Sequence, residues 1–479
     1  MSVSKHTAYN LLGTAAPILV ALFSIPVYIN LIGEQRYGML SIAWILLGYF
    51  GVFDLGIGRA VAQRIATMDK NAHVARARTF WTGLTLNSLL GVLGGLVIWP
   101  AGQYFFERKF QINTDLQPEV LRALPWLMLA LPLATITGVL SGSLQGVERF
   151  LQINVVNATS SILFQTLPLL AAWLWTPDLA ILMPIAIGAR SLGVLFLFIS
   201  CLRHVDSGLA PSFSTHEARA LLKFGGWVTV SSLISPIMVV ADRFIIGAIL
   251  GAREVTQYAV PFQLAERSTI VPNALSSSLF PRFARGSAHD GEQLAVTTVR
   301  LLLVLMTPVM VLAILLANPF LAIWISPEFA GRSALVLQIL LPGFWINGLA
   351  RIPHARLQAT GRPNVVAICH LAEIIPYVAL LSMGLQIGGV PGAAMVFTLR
   401  VFVDHVFLSA QASILRPTIA LILCGFGFLV AALLLAQLGL TASVMATSGL
   451  MLVALTILWS VTQAPAILRQ RVKKLQKRS

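Results

Sequence analysis

The chain has 479 residues, of which 57% are hydrophobic and 11% charged, where a soluble domain carries roughly 25% charged residues. That balance excludes a water-soluble globular protein and reads as an integral membrane protein. A net charge of +15 would suit nucleic acid or an anionic membrane surface, and the placement of the charges decides for the membrane: the tail residues Arg469, Arg471, Lys473, Lys474, Lys477 and Arg478 directly follow an apolar helix, and no basic or aromatic recognition fold accompanies them.

Spanning an apolar core of ~30 Å takes about 20 helical residues. In chain order, segments of that kind run from Ala8 to Ile32, Met39 to Ile57, Phe80 to Trp99, Leu121 to Leu144, Leu151 to Trp175 and Ala180 to Ser200. They continue from Leu222 to Leu250, Thr256 to Phe280, Val296 to Ala317, Ala334 to Leu357, Val365 to Leu385 and Gly392 to Ile414, and end with Thr418 to Gln437 and Ala442 to Trp459. The pattern predicts an all-α protein with about fourteen transmembrane helices. The first run, at about 25 residues, exceeds a signal-peptide core and lacks a small-residue cleavage site, so it reads as a retained helix.

Alternate loops differ in basic content, as expected when cytoplasmic loops collect Lys and Arg. One set holds Lys5, Arg59, Arg64, Lys70, Arg76, Arg78, Arg149, Arg203, Arg219, Lys223, Arg282, Arg285, Arg300, Arg356, Arg362, Arg416 and the tail. The other holds only Arg36, Arg108, Lys109, Arg122, Arg253 and Arg332. The alternation predicts an even number of helices and both termini in the cytoplasm.

Against this apolar background stand Asp54, Arg190, Asp242, Arg243, Glu266, Arg267, Arg351, Glu373, Arg400 and Asp404, all within stretches long enough to cross a bilayer. A central Arg or Asp costs about 2.5–3.5 kcal/mol on insertion scales, so the five arginines together cost on the order of 10–15 kcal/mol. A chain that keeps them needs a polar cavity, which points to a transporter with an anion-friendly interior. The three cysteines, Cys201, Cys369 and Cys424, are isolated in sequence and predict neither a disulfide framework nor a metal site.

The first and second halves repeat weakly. Leu144-Gln145-Gly146 followed by Asn154-Val155-Val156 finds its counterpart in Leu357-Gln358-Ala359 followed by Asn364-Val365-Val366, and Gly33 corresponds to Gly251 at a similar offset. Six helices per repeat predict a parallel repeat with the substrate site between halves. The expected division is an N-terminal six-helix bundle (1–203), a cytoplasmic linker (204–222), a C-terminal six-helix bundle (223–415), two additional helices (416–463) and a basic cytoplasmic tail (464–479).

Three motifs near the start are Gly33-Glu34-Gln35-Arg36-Tyr37-Gly38, Trp44-Ile45-Leu46-Leu47-Gly48-Tyr49-Phe50 and Phe53-Asp54-Leu55-Gly56-Ile57-Gly58. A fourth, Asp242-Arg243-Phe244-Ile245-Ile246-Gly247 with Gly251, lies on the seventh helix. Together they resemble the polysaccharide transporter family, which includes the O-antigen flippases, within the multidrug/oligosaccharidyl-lipid/polysaccharide exporter superfamily. The resemblance covers nearly the whole chain and says little about which glycan is carried. It implies two six-helix bundles in a V around a central cavity, with two further helices. It also implies a flippase that moves undecaprenyl-diphosphate-linked oligosaccharide across the bacterial inner membrane by alternating access. The implied partners are that glycan lipid, anionic membrane lipids, a polysaccharide polymerase and a chain-length regulator. No cofactor is implied beyond H+ or Na+ as a coupling ion.

Arg190, in Gly188-Ala189-Arg190-Ser191, has no acid one turn away on its own helix. It is either a cavity cation for the diphosphate, whose oxygens match the guanidinium fork, or half of an interhelical ion pair. Glu266 and Arg267 sit mid-segment in a run too polar for a lipid face, which favours a cavity role. Asp242 and Arg243 read first as a structural pair locking neighbouring helices. Arg400 and Asp404 lie one turn apart, either as a local salt bridge or as a gate opened by phosphate. Glu373 follows His370 on one face and would carry a proton or Na+, or form a hydrogen-bonded structural pair. Arg351, with His354, would draw in the diphosphate or reach to headgroups. Asp54 reads as a local cap or pair. Pro17 and Pro26, and Pro236, Pro261 and Pro272, interrupt the first, seventh and eighth helices, either as kinks or hinges of a transporter that must bend or as ordinary membrane prolines.

No Walker loop, zinc spacing or nucleophile elbow is present. The longest predicted loops, 102–120 and 203–221, are too short for an ATP-binding domain, so a gradient must supply the work. Two rival functions remain. A cation-coupled multidrug exporter of the same superfamily would need unpaired acids and aromatics, whereas here central arginines match the acids. A membrane glycosyltransferase or polymerase would need a large extramembrane domain.

Overall fold

A computed structural model describes residues 3–69, 72–206, 210–285 and 287–464; the side chains of 3–18, 49, 52, 206, 224–239 and 288 are not described. The basic tail beyond 464, Lys70 and the side chains of Lys5, Pro17 and Pro236 therefore lie outside the described residues.

Among the described residues the chain is helical, without a strand. The first half comprises α1 (Val3–Tyr49), α2 (Ile57–Ala66), α3 (His73–Arg108), α4 (Gln117–Gly146), α5 (Phe150–Leu174), α6 (Leu179–Cys201) and α7 (Thr215–Ile249). Then come α8 (Ala252–Glu266), α9 (Ile270–Arg285), α10 (Ala288–Trp324), α11 (Pro327–Ala359), α12 (Pro363–Gln411), α13 (Leu415–Gln437) and α14 (Ala442–Gln463). Nine of these, α3 to α6 and α10 to α14, are long and apolar enough to cross a membrane. Side chains cap several starts: Asp178 for α6, Ser214 for α7, Ser287 for α10 and Ser326 for α11 each accept a backbone N–H of the first turn.

Two of these helices are each two segments joined at a glycine. Gly33 (φ 78°) breaks α1 and Gly389 (φ 56°) breaks α12. Both adopt backbone that a side chain would strain, and both breaks fall where the hydropathy pattern separates segments. Two other expectations change. The segment predicted from Met39 to Ile57 is interrupted by a 3-10 turn, Phe50–Asp54, and resumes as α2 through Ala66. The segment predicted from Thr256 to Phe280 is divided by a turn at Arg267–Thr269. There Ser268 and Thr269 hydroxyls donate back to the carbonyls of Ala265 and Glu266 at 2.6 and 2.7 Å, offering the backbone an alternative to helical bonds. Pro272 then sits in the first turn of α9, where a missing N–H costs nothing. The predicted long loops also shorten, because α3 runs on to Arg108 and α4 starts at Gln117.

The chain divides into two compact units, Met1–Thr256 and Gln257–Ser479. The contacts thus count α7 with the first unit, whereas the repeat places it at the head of the second half.

In the first unit, α2 and α4 meet at glycines. A Cβ on Gly58 would overlap the Gly138 carbonyl, and one on Gly142 would overlap the Gly58 carbonyl. Small residues are how membrane helices come this close. Around the contact lie Ile57, Val61, Phe80, Val139, Leu144 and Leu197. Between α3 and α4, Asn87 donates to the Thr135 carbonyl and the Thr135 hydroxyl donates to the Asn87 carbonyl, both at 2.9 Å. This reciprocal clamp satisfies polar groups that lipid could not. Interhelical ion pairs close the ends: Arg36–Glu119 at 2.6 Å, Arg64–Glu217 at 2.6 Å and Arg253–Glu34 at 3.2 Å.

In the second unit, α11 is the central helix, buried from Phe329 to Leu357 along much of its length. The Trp345 indole donates to Thr307 on α10 at 3.2 Å. Gln437 on α13 donates to Gln338 on α11 at 2.6 Å, and Gln338 donates to the Ile314 carbonyl at 3.2 Å. Rings of Phe262, Phe344 and Phe397 pack at 4.8–5.2 Å between centroids. The two limbs of α12 fold back on each other as a hairpin. Their contact is again glycine on glycine, since a Cβ on Gly392 would overlap the Gly384 carbonyl.

Candidate functional site

The α12 hairpin builds a polar cluster inside the second unit. On its first limb, Cys369 and Glu373 share a face because they are one turn apart. The fold at Gly389 then brings Asp404 from the second limb against them. The Cys369 thiol faces Glu373 Oε1 at 3.3 Å and Asp404 Oδ1 at 3.6 Å. His370 Nε2 lies 3.5 Å from the same Asp404 oxygen. From α11, the His354 ring stacks on His370 with centroids 6.2 Å apart and planes 21° apart. Arg400, one turn before Asp404, lays its guanidinium over Tyr377 at 4.8 Å and near Phe397 at 5.5 Å.

The cluster is mostly shielded. The Asp404 side chain is 16% exposed and that of His370 22%. Glu373 Oε2 is buried and has no hydrogen-bond partner among the described residues. A carboxylate oxygen in that position is costly unless a proton or cation joins it. The arrangement can therefore hold a proton or a metal ion, and it links two helical limbs whose angle is set at Gly389.

The partners differ in two ways from those the sequence suggests. His370 contacts Asp404 across the hairpin, whereas its spacing pairs it with Glu373. Cys369, isolated in sequence, sits between both carboxylates. The signal for it was Cys369 and Glu373 at one-turn spacing, but the third member comes from the other limb.

The remaining residues separate into engaged and open ones. Arg190 on α6 of the first unit is half-buried, and among the described residues no carboxylate or hydrogen-bond acceptor engages its guanidinium. Glu266 and Arg267 belong to the second unit and are exposed at the turn between α8 and α9. They are not in the middle of a continuous helix, because the 3-10 turn Arg267–Thr269 separates α8 from α9. Arg351 is exposed on α11, and its carbonyl accepts from Ser276 at 3.2 Å. Asp242 and Arg243 on α7 are each 1% exposed and engaged by neighbours, the burial expected of structural charges. Asp54 caps α2, its Oδ2 accepting from the Gly58 N–H at 3.3 Å. A separate apolar pocket of ≈ 450 Å³, lined by Leu335, Ile339, Pro342, Met395, Phe402 and Phe426, lies between α11, α12 and α13. It carries none of the charged groups.

A family model described as "Polysaccharide biosynthesis protein" matches residues 3–287. The chain is 31% identical over 412 residues to a Shigella flexneri protein named "Putative O-antigen transporter", spanning 85% of this chain and 97% of that one. It is 22% identical over 370 residues to the "Uncharacterized membrane protein EpsK" of Bacillus subtilis (strain 168), spanning 74% and 71%. Among solved structures, the lipid II flippase MurJ in its inward closed conformation superposes with a TM-score of 0.69 at 12% identity, covering 93% of this chain and 97% of that one. An inward-facing multidrug resistance MATE family transporter of the MOP superfamily superposes with a TM-score of 0.65 at 12% identity, covering 88% and 98%.

Proposed function

The chain belongs to the polysaccharide biosynthesis protein family, and on that premise we propose that it flips undecaprenyl-diphosphate-linked oligosaccharide across the bacterial inner membrane for O-antigen or exopolysaccharide assembly. It is a multi-pass membrane protein whose relatives and structural neighbours are named as transporters and flippases. The observation that carries the reading is Arg190: a guanidinium within a membrane helix, with no protein partner among the described residues. A diphosphate supplies the missing partner, because paired phosphate oxygens accept both arms of the fork. Arg267, Arg351 and Arg400, all in the second unit, are proposed by themselves as further cations for a diphosphate. Both termini face the cytoplasm in this reading, as the basic loops require.

Transport in this reading proceeds by alternating access. The Glu373, His370 and Asp404 cluster supplies the coupling: H+ or Na+ enters it, offsets one of the two carboxylate charges and lets the limbs of α12 change angle at Gly389. Asp404 and Glu266 serve as gating acids. The same structural neighbours include multidrug exporters, but a cationic drug would find Arg190 repulsive.

The test is reconstitution of purified protein in proteoliposomes with undecaprenyl-diphosphate oligosaccharide. Flipping is expected, and an imposed H+ or Na+ gradient should accelerate it. In Glu373→Gln the gradient response should disappear while glycan-lipid binding stays within about twofold, because the amide removes the charge and keeps the volume. Gradient-insensitive wild-type transport would remove the coupling role of Glu373 and leave the flippase reading intact. No flipping at all would remove the flippase reading.

A further inference from the structure

We propose that Cys369, Glu373 and Asp404, with His370 as fourth ligand, form a binding site for a borderline-soft divalent metal ion of the Zn2+ class, clamping the two limbs of α12. The sulfur and the two carboxylate oxygens already lie within 4.8 Å of one another. A tetrahedral zinc with Zn–S of ~2.3 Å and Zn–O or Zn–N of ~2.1 Å has sulfur–oxygen edges of about 3.6 Å and nitrogen–oxygen edges of about 3.4 Å. The observed edges are 3.3 Å from Cys369 to Glu373, 3.6 Å from Cys369 to Asp404 and 3.5 Å from His370 to Asp404. Cys369, Glu373 and Asp404 thus stand close to coordination spacing, while His370, near Asp404 but outside that triad, has to swing inward to complete the set.

Ligand chemistry selects the ion. A thiolate with imidazole suits Zn2+, Cd2+ or Co2+, whereas Na+, Mg2+ and Ca2+ prefer oxygen alone. Binding converts the Cys369 thiol to thiolate, its proton leaving to solvent as the Zn–S bond forms. Thiolate, two carboxylates and neutral imidazole around a divalent ion leave one net negative charge. Arg400, one turn from Asp404 on the same limb, offsets that charge in a medium where it would otherwise be costly. Since the ligands come from both sides of Gly389, the ion fixes the hairpin angle. It thereby opposes whatever motion the break at Gly389 permits.

The site stands independently of the flippase reading but competes with the coupling role given to Glu373, His370 and Asp404, since a divalent ion on these ligands leaves no place for H+ or Na+; its test does not use transport. Chelator-stripped protein in detergent, carrying Cys201→Ser and Cys424→Ser so that Cys369 is the remaining thiol, is titrated with Cd2+ and separately with Co2+. One Cd2+ per chain should bind with a thiolate-to-metal ultraviolet charge-transfer band, and Co2+ should give tetrahedral visible bands. Zn2+ should compete with both. Adding Cys369→Ser should abolish the Cd2+ band, and adding Glu373→Gln or Asp404→Asn should weaken binding at least tenfold. Absence of the band overturns the proposal. So does a band of unchanged affinity in both carboxylate variants, which would mean an adventitious thiol contact only. The carboxylate variants preserve the thiol, so the test holds even where Cys369→Ser fails to fold.

Discussion

Arg190→Ala should reduce flipping of the glycan lipid more than a hundredfold, while Arg190→Lys retains an intermediate rate. The guanidinium is half-buried in α6 and unengaged by any described residue, so its fork is open to a ligand. Two charge-assisted hydrogen bonds to phosphate contribute about 1.5–3 kcal/mol each, and losing both costs about 3 kcal/mol or more. An ammonium supplies the charge without the planar fork. Stability separates this role from a structural one. Removing a half-buried arginine with no partner among the described residues relieves a desolvation cost, so the Ala variant should melt at or above the wild-type temperature. Removing half of an ion pair would lower it. Thermal unfolding in detergent, beside transport in proteoliposomes, reads both. A marked fall in melting temperature with transport preserved would assign Arg190 to packing.

Gly142→Leu should abolish folding, and Gly58→Val should do the same. At these positions the obstruction is backbone. A Cβ at Gly142 would overlap the Gly58 carbonyl, and one at Gly58 would overlap the Gly138 carbonyl. Overpacking against movable side chains costs about 1–3 kcal/mol, and a helix backbone gives way less readily than a rotamer. The cost also spreads to Asp54, whose carboxylate caps α2 beside Gly138. Expression and monodispersity by size-exclusion chromatography check the result. Gly427→Ala on α13 and Gly331→Ala on α11, where a Cβ meets nothing within 4 Å, should behave as wild type or slightly better, since alanine favours helix.

Much of the helix order was legible because bilayer thickness imposes a length on every apolar run. The segment expected from Leu151 to Trp175 is α5, Phe150–Leu174, and that from Ala180 to Ser200 is α6, Leu179–Cys201. Gly33 separated the first two segments by the same logic, through the positive φ that glycine accepts. The interruptions at Phe50–Asp54 and Arg267–Thr269 were not legible. Hydropathy continues across them, and only hydroxyl and turn chemistry at Ser268, Thr269, Leu55 and Gly56 marks the change. Polar helix ends misled in the other direction: Gln103, Glu107 and Arg108 read as loop, yet helical hydrogen bonding carries α3 past them.

For the candidate site, Arg190, Glu373, Arg400 and Asp404 stand out in the sequence because a charge within an apolar run is expensive. Their partners were hidden. Cys369 and Asp404 are 35 residues apart and meet only because the hairpin closes at Gly389. Arg36 and Glu119 are 83 residues apart, and both read as ordinary loop charges until the helices are packed. Periodicity reports neighbours within one helix, and the cluster consists of neighbours between helices.

The central claim is that this chain moves a diphosphate-linked glycan lipid. Its most direct test is a comparison in one proteoliposome preparation. Wild-type protein is offered undecaprenyl-diphosphate oligosaccharide and, separately, an uncharged undecaprenol-linked analogue carrying the same glycan. Lipid that has reached the opposite leaflet is scored by its accessibility to a membrane-impermeant glycan-modifying reagent. Flipping of the diphosphate lipid well above that of both protein-free vesicles and the neutral analogue is the predicted result. Equal movement of both lipids, or none above protein-free vesicles, would contradict the account.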